Sequence, residues 1–328
     1  MTREAGDRHR AGSGTSGAGM TREREGCQVT DWAQLRAGRV VMADEAVLVI
    51  SKPPGISVMG ERHGTDLVRL AAAAGEQLFP VHRIDKPVSG AVLLARDLRW
   101  HGDLTRQFAR RTAGRAYLAI VSAGGLPARG TIDLPLSTGR KNRVRVAAPR
   151  ASIVASDAGD AGEAGGSGTA GSWSVPADAV FGHVRSYPSV TTFARLWQDD
   201  SRALLVVWPV SGRRHQIRVH LAWIGHPVEG DPLFGAAKTG AAKTGAAGRA
   251  GETDAGTGAA PRALLHSWRL SFGAAWRDGA RLTAEAVPDP DYWAPLRGSL
   301  PAAGPEAWLA QARSLAGPDG TAASAAPG

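Results

Sequence analysis

Asp85 stands in the stretch Val81-His82-Arg83-Ile84-Asp85-Lys86-Pro87-Val88-Ser89-Gly90, with a cation on either side at Arg83 and Lys86. A carboxylate held on a stiff loop can act as a nucleophile or a base. A cation within a few ångströms favours its charged form. A second chemistry-bearing run is Gly212-Arg213-Arg214-His215-Gln216-Ile217-Arg218-Val219-His220, continuing through Gly225-His226-Pro227 to Gly230-Asp231. Arg214 and Arg218 are four apart and can point into one cleft. Lys-Pro-Pro-Gly at 52–55 is a weak signal by itself, and Tyr117, one of three tyrosines, reads by itself as a residue packed in a strand.

Several chemistries find no support in these residues. His215 and His220 are five apart, off one helical face, and no His-Glu-x-x-His motif occurs, so a metal centre is not expected. A glycosidase needs two carboxylates flanking one bond, and no spacing here pairs Asp231 with Asp85. The Gly-x-Ser-x-Gly elbow of a serine hydrolase is absent. Gly-Ala-Ala-Lys-Thr is written twice in succession after Phe234, but without the Gly-Lys-Thr adjacency of a phosphate-binding loop.

The elements that must position these residues are mostly strands. Residues 91–95 form a continuous apolar run, which predicts a buried strand after the Asp85 turn. Residues 40–42 and 46–50 predict two short strands, the second ended by Pro53-Pro54-Gly55, which presents Lys52 on a stiff loop. A short helix is predicted over 65–75 with Thr65 as its cap, and a basic one from Asp97 to about Arg111. Strands are expected at 115–121, 130–136, 143–146, 191–197, 203–208 and 264–272. Ile217, Leu221 and Ile224 recur at i, i+4 and i+7, which predicts a helix that Gly225 ends.

The Asp85 stretch resembles the signature of the RluA-type RNA pseudouridine synthases, His-Arg-Leu-Asp-x-x-Thr-Ser-Gly before an apolar strand. Ile84 stands where that signature has Leu, and Val88 where it has Thr. Gly-Arg-x-His-Gln-Ile-Arg-Val-His and Gly-His-Pro-x-x-Gly-Asp match almost residue for residue over 212–231. Lys52, Tyr117 in a basic-x-Tyr-x-Ala-x-Val pattern, and the Leu-His segment at 265–266 are further points of resemblance. The likeness spans residues 46 to 293 apart from two inserts.

The resemblance implies isomerisation of a uridine already in RNA, which needs no redox agent, metal or group donor. Asp85 would be the catalytic carboxylate, at ribose C1′ as nucleophile or at C2′ as base. Arg218 would pair with it and keep it ionised, and Tyr117 would stack on the base or move the C5 proton. Arg83, His82, Lys52, Arg214, His215 and Gln216 would contact RNA. The target nucleotide would have to leave its stack. Ribosomal or transfer RNA is the implied partner, with no cofactor and no metal. An RNA-binding protein that keeps the scaffold without turnover is the alternative. The implied fold is α+β, a mixed and mainly antiparallel sheet with flanking helices and a basic cleft.

Composition agrees with a polyanion partner. The 328 residues carry a formal net charge of +9. Much of it is clustered at Arg106/Arg110/Arg111/Arg115, at Arg140/Lys141/Arg143/Arg145 and at Arg213/Arg214/Arg218, an arrangement that suits phosphates. Cys27 is the single cysteine, so no intrachain disulfide is expected. No secretory leader or membrane-length apolar run is seen, and a soluble, cytoplasmic monomer is expected. One catalytic domain is expected over 40–298, after a largely disordered tail with a short lead-in at 1–39. Flexible inserts are expected near 155–172 and 236–260, and a C-terminal tail over 299–328.

Overall fold

A computed structural model of the chain describes residues 31–61, 65–139, 143–158, 170–235 and 262–317. The strands in chain order are β1 (Val40–Ala43), β2 (Val47–Lys52), β3 (Phe79–Pro80), β4 (Ser89–Ala95) and β5 (Gly114–Ser122). Next come β6 (Arg129–Asp133), β7 (Leu136–Thr138), β8 (Val144–Val146), β9 (Val154–Ala158) and β10 (Ala170–Ser174). The last are β11 (Ser186–Tyr187), β12 (Val190–Gln198), β13 (Arg202–Pro209), β14 (Leu265–Ala274) and β15 (Ala280–Glu285). The α-helices are α1 (Trp32–Arg39), α2 (Leu67–Ala73), α3 (Leu98–Arg110), α4 (Gln216–Trp223) and α5 (Glu306–Leu315).

Twelve strands make one sheet in the order β1-β2-β4-β14-β5-β13-β12-β6-β10-β9, with β15 beside β14 and β3 beside β4. Pairing is antiparallel except at β4–β14 and β6–β10. A smaller sheet runs β11-β7-β8. The expected α+β architecture with many short strands is therefore what the chain adopts.

The central strands read as unbroken apolar runs because both of their faces are covered. Every residue of β4 is buried. Val92 and Leu94 join one core, and Ala91, Leu93 and Ala95 join another on the opposite face. Gly90 is obligatory where β4 meets β14. Its φ is +109°, and an added Cβ would run into the Ser267 backbone. That close approach lets the loop carrying Asp85 lie over the middle of the sheet.

Some expectations differ from the structure at the edges. The C-terminal tail predicted for 299–328 contains α5, whose Trp308, Leu309 and Ala312 are buried. Trp308 packs 5.7 Å from Trp197 of β12 and 6.0 Å from Trp293. Emptying a buried tryptophan site costs about 3–5 kcal/mol, a large part of a domain's stability of about 5–15 kcal/mol. This helix belongs to the fold. At the other end, the lead-in is α1, capped by the Asp31 carboxylate, with Trp32 and Leu35 buried.

The insert expected at 155–172 has ordered ends, because β9 and β10 pair with each other and extend the sheet edge. Cap placement also shifts, as Asp66 rather than Thr65 accepts from the first turn of α2. The repeat at 236–260 and Cys27 lie outside the described residues. Among the described residues no helix is long and apolar enough to cross a membrane.

Burial sets the acid limit of this fold. It pushes the His82 imidazole down to about 3, helped by the Arg115 charge, and those of His220 and His266 to about 4. These values lie below the unfolded value of about 6.5, so the unfolded chain binds more protons in between. The contribution is complete above pH ~6.5 and is lost as pH falls toward ~4. The urea midpoint should therefore decline across that window. A midpoint unchanged between pH 7 and 4.5 would show that these rings do not control stability.

Candidate active site

Asp85 leads the turn between β3 and β4, where the Val88 amide donates to its carbonyl at 3.0 Å. The loop is tied down from beneath. Lys52, fully buried, donates through Nζ to the carbonyls of Val88 at 2.6 Å, Pro53 and Ile56 at 2.9 Å each, and Lys86 at 3.4 Å. Burial pulls the Lys52 ammonium down to about 7, with the Asp85 charge opposing. Those carbonyls can only accept, so the charged form suits this cage. The expectation that Lys52 contacts RNA is corrected here: its head group is spent on the chain itself.

Arg218 comes from α4 on the other side of the cleft and is 1% exposed. Its Nη1 donates to Asp85 Oδ2 at 2.8 Å. Its Nε and Nη2 grip Asp231 at 2.7 Å each. Asp231 also accepts from the Leu233 and Phe234 amides at 2.8 and 3.0 Å. Burial alone would raise the Asp231 pKa, but the Arg218 hydrogen bonds and charge hold it below the usual carboxylate value. For Arg218, burial works against the charge, and the two carboxylates more than offset it.

One guanidinium between two carboxylates leaves the trio with a net charge of −1. Asp231 is saturated with donors, so the surplus rests on Asp85, which is 22% exposed at the cleft. Gly230 permits this turn, because its φ is +67° and a Cβ would strike the Arg262 carbonyl.

The approach to α4 carries local strain that the sequence pattern does not announce. His215 has a left-handed backbone, φ +56°, rare for a side-chain-bearing residue. Gln216 stabilises the turn with its whole amide. Its Oε1 accepts from Ser211 Oγ at 2.8 Å and the Arg213 amide at 3.0 Å, while Nε2 donates to Val190 O and Thr191 Oγ1. Gln216 is buried with no capacity left, so the expected RNA contact is corrected to a structural role. His82 is corrected likewise. It accepts from the Leu93 amide at 3.0 Å, and its ring stacks on Phe108 at 4.6 Å.

The remaining candidates do converge. A cleft of about 440 Å³ is lined by Asp85, Tyr117, Arg218, Arg83, Arg214 and His215, with Ile84, Val88 and Leu265 as apolar wall. His215 Nε2 lies 3.7 Å from Asp85 Oδ1, and burial lowers its pKa, with the Asp85 charge opposing. Tyr117, in β5 between Val207 and Ser267, has its phenol pKa raised by burial. Arg83, Arg213 and Arg214 are exposed around the mouth. Asp231 is the residue that sequence reasoning left without a partner. Its signal was a Gly-Asp-Pro turn soon after a helix that ends at glycine. Arg115, read in a charge cluster and as the basic residue before Tyr117 but given no site role, also lines the cleft.

Residues 46–223 match the family model for RNA pseudouridylate synthase. The chain is 29% identical over 245 residues to the ribosomal large subunit pseudouridine synthase D of Nitrosomonas europaea, covering 71% of this chain and 57% of that protein. It therefore spans a little over half the length of that relative. It is 28% identical over 236 residues to the dual-specificity RNA pseudouridine synthase RluA of Escherichia coli K12, covering 71% of this chain and 85% of that one. The fold is shared with human RNA pseudouridylate synthase domain containing 4, at a TM-score of 0.58 and 23% identity, covering 81% of this chain and 94% of that one. The chain belongs to the RNA pseudouridylate synthase family.

Proposed function

We propose that Asp85 is the catalytic carboxylate of this isomerase and that its target uridine lies in ribosomal or transfer RNA. The observation that carries the assignment is the asymmetric sharing of Arg218. Asp231 is saturated and sealed, whereas Asp85 keeps acceptor capacity facing the cleft. Support for a ribosomal substrate comes from the name of the Nitrosomonas relative. One chain supplies the carboxylate, the cation and the aromatic ring, which supports a monomer. Its place on this reading is the cytoplasm, where those RNAs work.

The chemistry is an exchange of bonds at one sugar carbon. The C1′–N1 bond breaks and a C1′–C5 bond forms, N1 gains a proton, and the C5 hydrogen leaves to solvent. Asp85 initiates this by attack at C1′ or by proton abstraction at C2′. Arg218 pairs with it through a charge-assisted hydrogen bond. The detached base must be retained while it turns, and the apolar wall with the Tyr117 ring forms the retaining surface. Because burial raises the phenol pKa, Tyr117 stays neutral near pH 7 and contributes its ring rather than a phenolate. Arg83, Arg214 and His215 at the mouth hold the flipped nucleotide and its phosphates.

Three measurements test this assignment. Asp85→Asn keeps shape and loses charge, so tritium release from RNA labelled at uridine C5 should drop by at least about 10³-fold. Filter-binding affinity for the same RNA should be unchanged. Wild-type protein that binds RNA yet releases no tritium would instead favour an inactive binding scaffold.

Tyr117→Phe should retain activity within about tenfold, while Tyr117→Leu should lose about 10–100-fold, the worth of one stacked base. Equal loss in both would mean that the hydroxyl moves a proton.

Asp231→Asn should destabilise the fold by about 3–5 kcal/mol in urea unfolding, because it breaks a buried ion pair. Arg213→Ala, at an exposed site, should stay within about 0.5 kcal/mol of wild type.

A further inference from the structure

The small sheet β11-β7-β8 plays no part in the chemistry above, yet it adjoins the site. A groove of about 260 Å³ is lined by Leu136, Thr138, Val144 and Tyr187 from this sheet and by Arg213 and Arg214. Those two arginines also line the catalytic cleft, so cleft and groove share a wall. Tyr187 is half-buried in β11, fixed by pairing with Leu136 and stopped by Pro188. The Arg185 guanidinium lies 5.1 Å from the centre of its ring, and that of Arg213 lies 5.0 Å away.

This pairing differs from that of several other arginines on the surface. Arg36, Arg99, Arg106 and Arg277 sit against Glu76, Asp97, Asp103 and Asp44 respectively. Among the described residues no carboxylate pairs with Arg185 or Arg213. A carboxylate partner would cancel the charge it positions. An aromatic ring positions a guanidinium through its quadrupole and leaves the full charge available. Such an arrangement suits a polyanion and is wasted on a neutral ligand.

Resting on the isomerase reading, we infer that the groove between Tyr187 and Arg213 is a second RNA-contact surface, binding phosphates of the single strand that flanks the target uridine. A strand leaving the cleft past Arg214 enters this groove directly. The residues that line it, at 136–138 and 144, at 187 and at 213–214, come from segments far apart in the chain. Arg145 supplies an internal control. Like Arg185 it is exposed, carries no carboxylate partner among the described residues and does not itself line the groove, but it packs 5.7 Å from Phe181 rather than on the groove's Tyr187.

The test is filter binding of oligouridylate 20-mers and 5-mers over a range of salt, which requires no turnover. Arg185→Ala combined with Tyr187→Leu should weaken 20-mer binding about tenfold. Its salt slope should fall by about 0.7, the share of one phosphate that is no longer neutralised. Binding of the 5-mer should change less than about twofold, since a short strand fills the cleft alone. Arg145→Ala should bind both as wild type does, and Tyr187→Phe, which keeps the ring, should preserve 20-mer binding. Melting temperatures confirm that each variant is folded. Should the double variant not fold, Arg185→Gln alone, at an exposed position, carries the same comparison.

An unchanged 20-mer affinity and slope in the groove variant would overturn the inference. So would an equal loss at Arg145→Ala, which would reduce the effect to general charge. Absence of tritium release by wild type, with the binding differences intact, would sink the isomerase reading and leave the groove standing.

Discussion

The site depends on how one guanidinium is divided. Arg218 gives two of its donors to a carboxylate that is sealed from solvent and one to a carboxylate that is not. A flexible lysine could not make this division, because a bidentate grip needs a planar fork of fixed geometry. Gripped by Asp231, Arg218 has little freedom to follow Asp85 if a substrate draws that carboxylate forward. The cation is thus preorganised, and little reorganisation is needed at the moment of reaction. Burial of such a trio costs desolvation energy, so its role is positioning rather than net stabilisation.

Everything near the trio serves to hold its two sides at a fixed separation. On one side, the loop bearing Asp85 rests on the Lys52 ammonium and on a glycine pressed against β14. On the other, α4 is anchored by the Gln216 amide below and by His220, which bridges Thr191 and the Leu134 carbonyl at 2.9 Å each. Both anchors reach into the same sheet, whose central strands are buried on two faces. A rigid sheet is the cheapest way to fix two loops 133 residues apart in sequence, since Asp85 and Arg218 have no local reason to meet.

Charge is layered around this frame. At the centre sits a net negative trio in partly apolar surroundings, where electrostatic interactions are stronger than in water. Outside it stand the exposed arginines at the mouth, a charge that suits a phosphate backbone. The separation resolves a conflict. On the proposed mechanism a catalytic carboxylate would repel RNA, and the outer cations would restore affinity while the inner one controls reactivity.

Much of this was legible in the amino-acid sequence. Continuous apolar runs marked β2, β4, β5 and β13, and the 3.6-residue spacing marked α4, because local periodicity depends only on which face is buried. Asp85 and Arg218 stood out because their motifs are dense in turn residues and charge, and Tyr117 because it stands in the pattern of the family that the sequence resembles. The tertiary structure alone decided which polar residues face the cleft. Lys52, His82 and Gln216 belong to the same motifs, yet their side chains are consumed by backbone amides and carbonyls from distant strands. Asp231 became part of the site only when a glycine turn folded it back under α4. The C-terminal helix read as tail because its stripe of Trp308, Leu309 and Ala312 is too short to signal burial without Trp197 opposite. Hydrogen-bond partners are a property of space rather than of neighbouring residues, and no local pattern encodes them.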